Sequence, residues 1–227
     1  GFEWMVNVFG ADHIATVPDV LAGLRALGYD DSKIKVVLHQ FVTLLRDGRQ
    51  VKMSTRKATF ITVDELLAEV GPDVLRFFYL MRKSDSQLEF DLDLAKKQSQ
   101  ENPVYYVQYA HARLCSIERQ AREQGVVSPP PETAALELLR EQEAFALLKV
   151  LADYPALVAG AAVELAPHRV IFYLMNLAGQ FHSYYNKHKV ISDDPVLSGA
   201  RLCFCGALRR VLRNGLHLLG LSAPETM

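Results

Sequence analysis

Residues 51–60 concentrate cations and hydroxyls in one short stretch, which reads Val-Lys-Met-Ser-Thr-Arg-Lys-Ala-Thr-Phe and follows the turn signal Asp47-Gly48. Its positive charges come from Lys52, Arg56 and Lys57. Such side chains donate charge-assisted hydrogen bonds to a polyphosphate, whose departing group carries several negative charges. For so short a stretch taken alone, a solvated basic turn is the favoured interpretation.

A second concentration of binding chemistry lies on the helix predicted from Pro103 to about Gln124, which Asn102 caps. At about 100° per residue, its apolar positions form one stripe that is predicted to face the core: Val107, Ala110, Leu114, Ile117 and Ala121. Tyr105, Tyr109 and Arg113 form a separate strip, with Arg119 nearby. Two rings and a guanidinium can stack unpaired bases and hold a phosphate. Tyrosines also pack well between helices, and periodicity alone favours that interpretation.

The helix predicted at residues 167–190 carries further cations near its end: His182, Lys187, His188 and Lys189. They can contact phosphate, or they can be a solvated helix end whose charge complements the helix dipole. Tyr184 and Tyr185 are predicted to lie at the edge of the core. The same two interpretations, phosphate contact or a solvated helix surface, apply to Arg209, Arg210 and Arg213.

Composition excludes several classes of protein. Half of the 227 residues are apolar and 22% are charged, as in ordinary globular proteins. A net charge of −1 means that any RNA binding must come from local patches. The three cysteines, Cys115, Cys203 and Cys205, are too few for a disulfide framework, so reduced thiols in a cytosolic protein are expected. No membrane partner, signal segment or metal site is predicted.

The first residues alternate strand and helix signals. Met5–Phe9, closed by Gly10, is typical of a buried parallel strand, a helix is predicted to end at Gly28, and Ile34–Leu45 is rich in β-formers. This order predicts the closing part of a doubly wound α/β sheet. Because one such unit cannot form a domain alone, we expect the chain to be cut from something longer.

From Thr62 onward every strong signal is helical. A Thr-x-x-Glu capping box opens a helix that stops at Gly71-Pro72. An all-α bundle is predicted, with helices at residues 73–82, 91–100, 103–124, 132–152, 154–165, 167–190 and 196–220.

Read together, these features resemble the arginyl-tRNA synthetase family. Lys52-Met53-Ser54 is similar to the class I synthetase signature loop, usually Lys-Met-Ser-Lys-Ser, and residues 108–113, Gln-Tyr-Ala-His-Ala-Arg, are similar to a helix motif specific to the arginyl enzymes. The similarity continues through Phe90–Ala95, Leu177–His182 and residues 218–227. It therefore covers essentially the whole chain, in order.

The resemblance implies a mixed fold in three parts. Residues 1–62 would be the end of a Rossmann-like α/β catalytic domain, with the signature loop at 52–56. Residues 63–101 would be a helical connection that contacts the tRNA stem, and residues 102–227 an all-α anticodon-binding bundle. In this family ATP, with Mg²⁺, activates arginine as an adenylate, and the arginyl group passes to the terminal ribose of tRNA.

The resemblance also assigns site residues. Gly10 lets the backbone approach ATP, and Asp12 can accept ribose hydroxyls, although this segment could equally be an ordinary helix N-cap. The implied ATP-binding residues are Gly10, Asp12, His13, Gln40, Lys52, Met53, Ser54 and Lys57. Lys52, Ser54 and Arg56 are the implied catalytic residues, since they offset charge on the departing pyrophosphate. Implied tRNA contacts are Tyr105, Tyr109, Ala112, Arg113 and Met227.

Two departures from the family pattern matter. Thr55 replaces the second lysine of the loop, so Arg56, Lys57 or a lysine outside this chain is expected to supply that charge. The other class I signature, His-Ile-Gly-His, does not occur in the sequence. We therefore expect the chain to be inactive in aminoacylation by itself while retaining anticodon-stem binding.

Two other hypotheses remain open. A class I synthetase for cysteine, methionine or leucine shares the loop and a helical bundle, but the motif at residues 108–113 argues against it. The chain can also be a stand-alone helical RNA-binding or protein-interaction module. The expected partners are arginine tRNA and ATP, with arginine in a full-length, monomeric, cytoplasmic enzyme.

Overall fold

The computed structural model describes residues 2–51 and 61–227, which divide into two units. The α/β unit contains the described residues up to Thr62 together with Arg82–Asp93. The helical unit contains Val63–Met81 and Leu94–Met227. The described strands belong to the first unit and the long helices to the second, which confirms the predicted mixed fold.

In the α/β unit, strand β1 (Met5–Gly10), helix α1 (Val17–Ala26) and strand β2 (Ile34–His39) follow one another as predicted. β1 and β2 pair in parallel, with Met5 opposite Ile34 and Gly10 opposite His39. A second sheet has β3 (Val42–Arg46) at its centre, antiparallel to β4 (Arg49–Gln50) and parallel to β5 (Leu88–Asp91). The predicted β-rich segment Ile34–Leu45 is therefore two strands in two sheets.

The expectation that β1 is buried was wrong. Val8 is 64% exposed, and no described residue between positions 2 and 43 is buried. Parallel strands are buried when further strands and helices cover them. In the part of the chain that the structure describes, β1 pairs with β2 alone.

The helical unit contains α2 (Val63–Val70), α3 (Pro72–Leu80), α5 (Pro103–Glu123), α6 (Gln142–Val163), α7 (His168–Lys187) and α8 (Pro195–Leu218). The short α4 (Leu92–Lys96) precedes α5. α5, α7 and α8 supply most of one core, and Leu114, Leu177 and Leu208 in it are fully buried. The predicted core stripe of α5 is confirmed, since all five of its residues are buried.

Helix α6 corrects the prediction of two helices at residues 132–152 and 154–165. It begins at Gln142 and continues through Pro155, while a single 3-10 turn, Leu136–Leu138, precedes it. An interior proline costs one backbone hydrogen bond, and the buried Ala144, Leu147 and Ala161 anchor α6 on both sides of it. By length and composition alone, α6 is long and apolar enough to cross a membrane. This is weak evidence for a membrane span, because core helices of soluble proteins meet the same criteria.

The start of α5 is fixed by its predicted cap. Asn102 is buried and accepts a hydrogen bond from the Val104 backbone N–H at 3.1 Å. Its amide nitrogen donates to the carbonyls of Ala95 at 3.0 Å and Lys97 at 2.9 Å. The cap therefore ties α5 to the end of α4, and this fixes the direction in which the tyrosines of α5 point.

Candidate nucleic-acid interface

Tyr105, Tyr109 and Arg113 lie side by side along α5, and we call them the aromatic strip. The rings of Tyr105 and Tyr109 are nearly parallel, at 9°, with centroids 6.1 Å apart. The guanidinium of Arg113 lies 4.7 Å from the centroid of the Tyr109 ring and donates to the Tyr109 hydroxyl. The structure thus brings together the three residues that the sequence placed on one strip.

Helix α7 covers one side of the aromatic strip. Tyr185 places its ring 4.7 Å from the Arg113 guanidinium, which therefore has an aromatic ring on two sides. Rings on both sides restrain the guanidinium, and the N–H groups at its edge are the part available for a phosphate. Sequence reasoning assigned Tyr185 to the core edge. Tyr185 lies one helical turn after Phe181, and this spacing was the signal in the sequence that both residues lie on the same face of α7.

His182 supports the aromatic strip from below. Its ring lies 4.8 Å from that of Tyr106 and 5.8 Å from that of Tyr109. Burial lowers the pKa of His182, and the charge of Arg113 lowers it further, against a hydrogen bond with the Tyr106 backbone. A neutral imidazole therefore packs beneath the tyrosines, and it is not the phosphate-binding cation that the sequence allowed.

Met227 and Tyr105 both line a cleft of about 470 Å³, which we call the α3–α5 cleft. Its wall also includes Val74 of α3 and the polar side chains Lys97 and Gln108. Met227 is 51% exposed, so its side chain is accessible to a ligand. A wall that combines apolar side chains with amide, ammonium and carboxylate groups suits a flat, polar-edged group such as a nucleobase.

Ala112 has almost the same angular position on α5 as Tyr105, seven residues earlier. It is buried, with 6% of its surface exposed. Its methyl group therefore lies low among larger side chains, and any direct contact with a base would be small.

Lys187 and His188, near the end of α7, contact a protein carboxylate. Glu143 of α6 binds Lys187 at 2.6 Å and His188 at 3.3 Å. The bond from Lys187 is the main reason why the pKa of Glu143 falls to about 2. Arg209 binds Glu118 at 2.8 Å in the same manner. The sequence left open a phosphate contact or a solvated helix end, and the structure instead places Lys187, His188 and Arg209 against protein carboxylates. Tyr184, predicted at the core edge, is fully buried.

The candidate nucleotide-binding residues that the structure describes lie at one edge of the α/β unit. Gly10 and His39 are paired at the carboxyl ends of β1 and β2, so Asp12 and Gln40 follow adjacent ends of parallel strands. A Cβ atom at Gly10 would stand 2.5 Å from a carboxylate oxygen of Asp12, so a larger residue there would displace the Asp12 side chain. The edge of a parallel sheet at its carboxyl end is the usual place for a ligand in α/β folds.

The side chains at this edge are accessible. Asp12 and His13 are exposed, and the His13 ring lies 5.5 Å from that of Phe9. Gln40 donates its backbone N–H to the Ser84 carbonyl at 2.8 Å. The remaining residues assigned to ATP or catalysis lie outside the described residues: Lys52, Met53, Ser54, Arg56 and Lys57.

Comparisons with known proteins divide the chain within α5, and not at the boundary between the two structural units. Residues 107–227 match the family model of the DALR anticodon binding domain, and residues 12–106 match that of tRNA synthetases class I (M). An arginine–tRNA ligase from Desulfotalea psychrophila is 65% identical over 226 residues. One from Syntrophotalea carbinolica is 54% identical over 227 residues. The resemblance to arginyl-tRNA synthetases is thereby confirmed.

Solved structures give the same result. A chain from Campylobacter jejuni matches with a TM-score of 0.87 at 30% identity and covers 100% of this chain and 49% of that one. Thermus thermophilus arginyl-tRNA synthetase matches with a TM-score of 0.79 at 28% identity, covering 99% and 41%. The match to each of the two ligases named above covers 100% of this chain but only 41% of the ligase.

The family model of the helical bundle covers more than half of the chain and includes the aromatic strip from Tyr109 onward, together with Met227. The chain therefore belongs to the DALR anticodon binding domain family, and class I tRNA synthetase sequence precedes that domain.

Proposed function

We propose that the helical unit binds arginine tRNA at its anticodon end, through the aromatic strip and the α3–α5 cleft. The observation that carries this proposal is the continuous surface from Met227 past Tyr105 and Tyr109 to Arg113. Tyrosine rings stack on unpaired bases of any sequence, and a restrained guanidinium binds a phosphate. Residues 63–101 would contact the stem of the same tRNA.

The whole protein of which this sequence forms part would attach arginine to tRNA, as the names of its relatives indicate. It would use ATP with Mg²⁺ for this reaction. In that reaction Gly10, Asp12, His13 and Gln40 would hold the adenosine end of ATP. Lys52, Met53, Ser54, Arg56 and Lys57 would contact its phosphates. The enzyme would act as a cytoplasmic monomer on arginine and arginine tRNA.

By itself the chain would not form the adenylate, because the described sheet edge around Gly10 is open and its candidate residues are largely exposed. An ATP–pyrophosphate exchange assay with arginine and tRNA tests this point. No exchange is expected, and any exchange above background that depends on arginine would contradict it.

Replacing Tyr109 by Ala tests the RNA interface directly. The loss of one stacking platform is expected to weaken binding of arginine tRNA by about 1–3 kcal/mol, measured by titration at fixed salt. Phe145→Ala is the matched control, because Phe145 is a 60% exposed aromatic residue on α6, away from the aromatic strip. Equal affinities for the two variants, with both folded, would show that Tyr109 stacks on no base.

A further inference from the structure

The C-terminal segment, residues 220–227, is held along α3 and α5 by polar side chains of the helical unit. Asp73 of α3 accepts hydrogen bonds from the backbone N–H of Ser222 at 3.2 Å and from its hydroxyl. The amide nitrogen of Gln108 on α5 donates to Asp73 at 2.8 Å and to the Ser222 carbonyl at 3.1 Å. These three residues form a closed polar triangle.

Two further contacts extend the attachment on either side of Ser222. Nδ1 of His111, on the next turn of α5, donates to the Pro224 carbonyl at 2.9 Å. Arg76 donates to the Gly220 carbonyl at 2.8 Å. Gly220 has a φ of +69°, which favours glycine, and a Cβ atom there would displace the Arg76 guanidinium from the Gly220 carbonyl.

Apolar anchors alternate with these polar contacts. Leu219 and Leu221 are buried in the core, and Ala223 packs against it. The apolar anchors end there, whereas Met227 is half exposed and lines the α3–α5 cleft beside Tyr105 and Gln108. Apolar packing therefore does not hold the last four residues, whereas the polar contacts continue one residue further, to Pro224.

We infer that Asp73, Gln108 and His111 are positioning residues, which fix the C-terminal segment so that Met227 forms part of the wall of the α3–α5 cleft. This inference rests on the proposed RNA function and assigns different tasks within one motif. Tyr109 and Arg113 present chemistry to the RNA, while Gln108 and His111, on the buried side of α5, hold the segment that completes the cleft.

Two substitutions release the segment with little change in volume. Gln108→Met removes the amide donor from an unbranched side chain of similar length, and Asp73→Asn replaces one acceptor oxygen with a donor that faces other donors. Gln142→Met, at an exposed position at the start of α6, is the matched control. Cooperative thermal unfolding verifies that each variant remains folded.

The first readout needs no RNA. In protein labelled at methionine methyl groups, Met227 is assigned by the loss of its signal in Met227→Leu. Gln108→Met and Asp73→Asn are expected to move that signal toward the position and sharpness of a solvated methionine, while Gln142→Met leaves it in place. An unchanged Met227 signal in both Gln108→Met and Asp73→Asn would overturn the inference.

The second readout is the affinity ratio between arginine tRNA and the same tRNA with one anticodon base changed. Gln108→Met and Met227→Ala are each expected to lower this ratio about tenfold, and the variant that carries both substitutions is expected to lower it no further. Additive losses, or a mobile Met227 with an unchanged ratio, would overturn the inference. A wild-type chain without discrimination would contradict the proposed RNA function, and the methyl signal would still decide how Met227 is positioned.

Discussion

The two units of this chain differ in how much of their apolar surface they bury. In the helical unit, α5, α7 and α8 enclose a core in which residues such as Leu177 and Phe181 have no exposure. In the α/β unit, Val8 of β1 and Leu27 after α1 are 64% and 75% exposed. Hydrophobic burial is the main favourable term in folding, so the helical unit should supply most of the stability of this chain.

The difference also separates the two candidate sites. The aromatic strip and the α3–α5 cleft stand on helices that a complete core holds in place, so their geometry is fixed within one unit. The nucleotide-binding edge at Gly10 stands on a two-stranded sheet whose apolar side chains are open to solvent. A precise site needs rigid support. Among the described residues, the RNA interface has that support and the nucleotide edge lacks it.

Amide hydrogen exchange should show the largest contrast. Amides of β1 and β2 are expected to exchange through local opening that costs little free energy, because few buried contacts hold these strands. The central amides of α5, α7 and α8 should exchange only with global unfolding, typically about 5–15 kcal/mol. Peptide-resolved exchange measures both. Equal protection of the β1 and α7 amides from exchange would contradict the proposed difference in stability between the two units.

Matched leucine truncations should show the next largest contrast. Leu177→Ala leaves a cavity in the helical core and is expected to cost about 2–5 kcal/mol of unfolding free energy. Leu27→Ala removes a side chain that is mostly exposed and is expected to change it by less than about 0.5 kcal/mol. Urea unfolding followed by circular dichroism compares the two. A Leu27→Ala cost as large as that of Leu177→Ala would mean that Leu27 is buried and would contradict its exposed position.

Helix caps give a smaller contrast. Asp194 accepts from the Val196 N–H at 2.9 Å and the Leu197 N–H at 3.1 Å, and so caps the long helix α8. Asp194→Ala should therefore cost about 0.5–2 kcal/mol in the same unfolding assay. Asp30 accepts from Ser32 at the start of a three-residue turn, and Asp30→Ala should have the smaller effect. The reverse order would contradict the assignment of stability to the helical unit.

The pH dependence of stability should show the smallest effect. Burial lowers the pKa of His111 below 6.5, Arg209 and Arg213 lower it further, and Glu225 and the bond to Pro224 oppose the shift. The unfolded chain therefore binds a proton more readily, so this contribution is complete above pH 6.5 and is lost as the pH falls. Between about pH 7.5 and 5.5, His111→Asn should lose less stability than the wild type. Equal losses would show that His111 does not titrate in this way.

The sequence predicted the features that depend on local periodicity and capping. The core stripe of α5, its cap at Asn102 and the strip of Tyr105, Tyr109 and Arg113 follow from a 3.6-residue period and from local hydrogen bonds. The parallel pairing of β1 and β2 followed in the same way from the order of elements.

What the sequence could not predict depends on contacts between distant segments. Ser222 lies 149 residues from Asp73 and 114 residues from Gln108, so no local sequence pattern predicts that they are in contact. Similarly, the sequence predicted two helices at residues 132–152 and 154–165, because local propensity does not include the packing that keeps α6 continuous through Pro155. The four-residue β5 gave no periodic signal of its own and depends on its pairing with β3.

A salt titration tests the central claim most directly. The affinity of this chain for arginine tRNA is compared with that for the same tRNA carrying a changed central anticodon base. Phosphate contacts should make both affinities fall in parallel as salt rises, because that part of binding is blind to sequence. A constant gap of about 1–3 kcal/mol in favour of the unchanged tRNA is predicted. Coincident curves at every salt concentration would show that the helical unit does not read the anticodon.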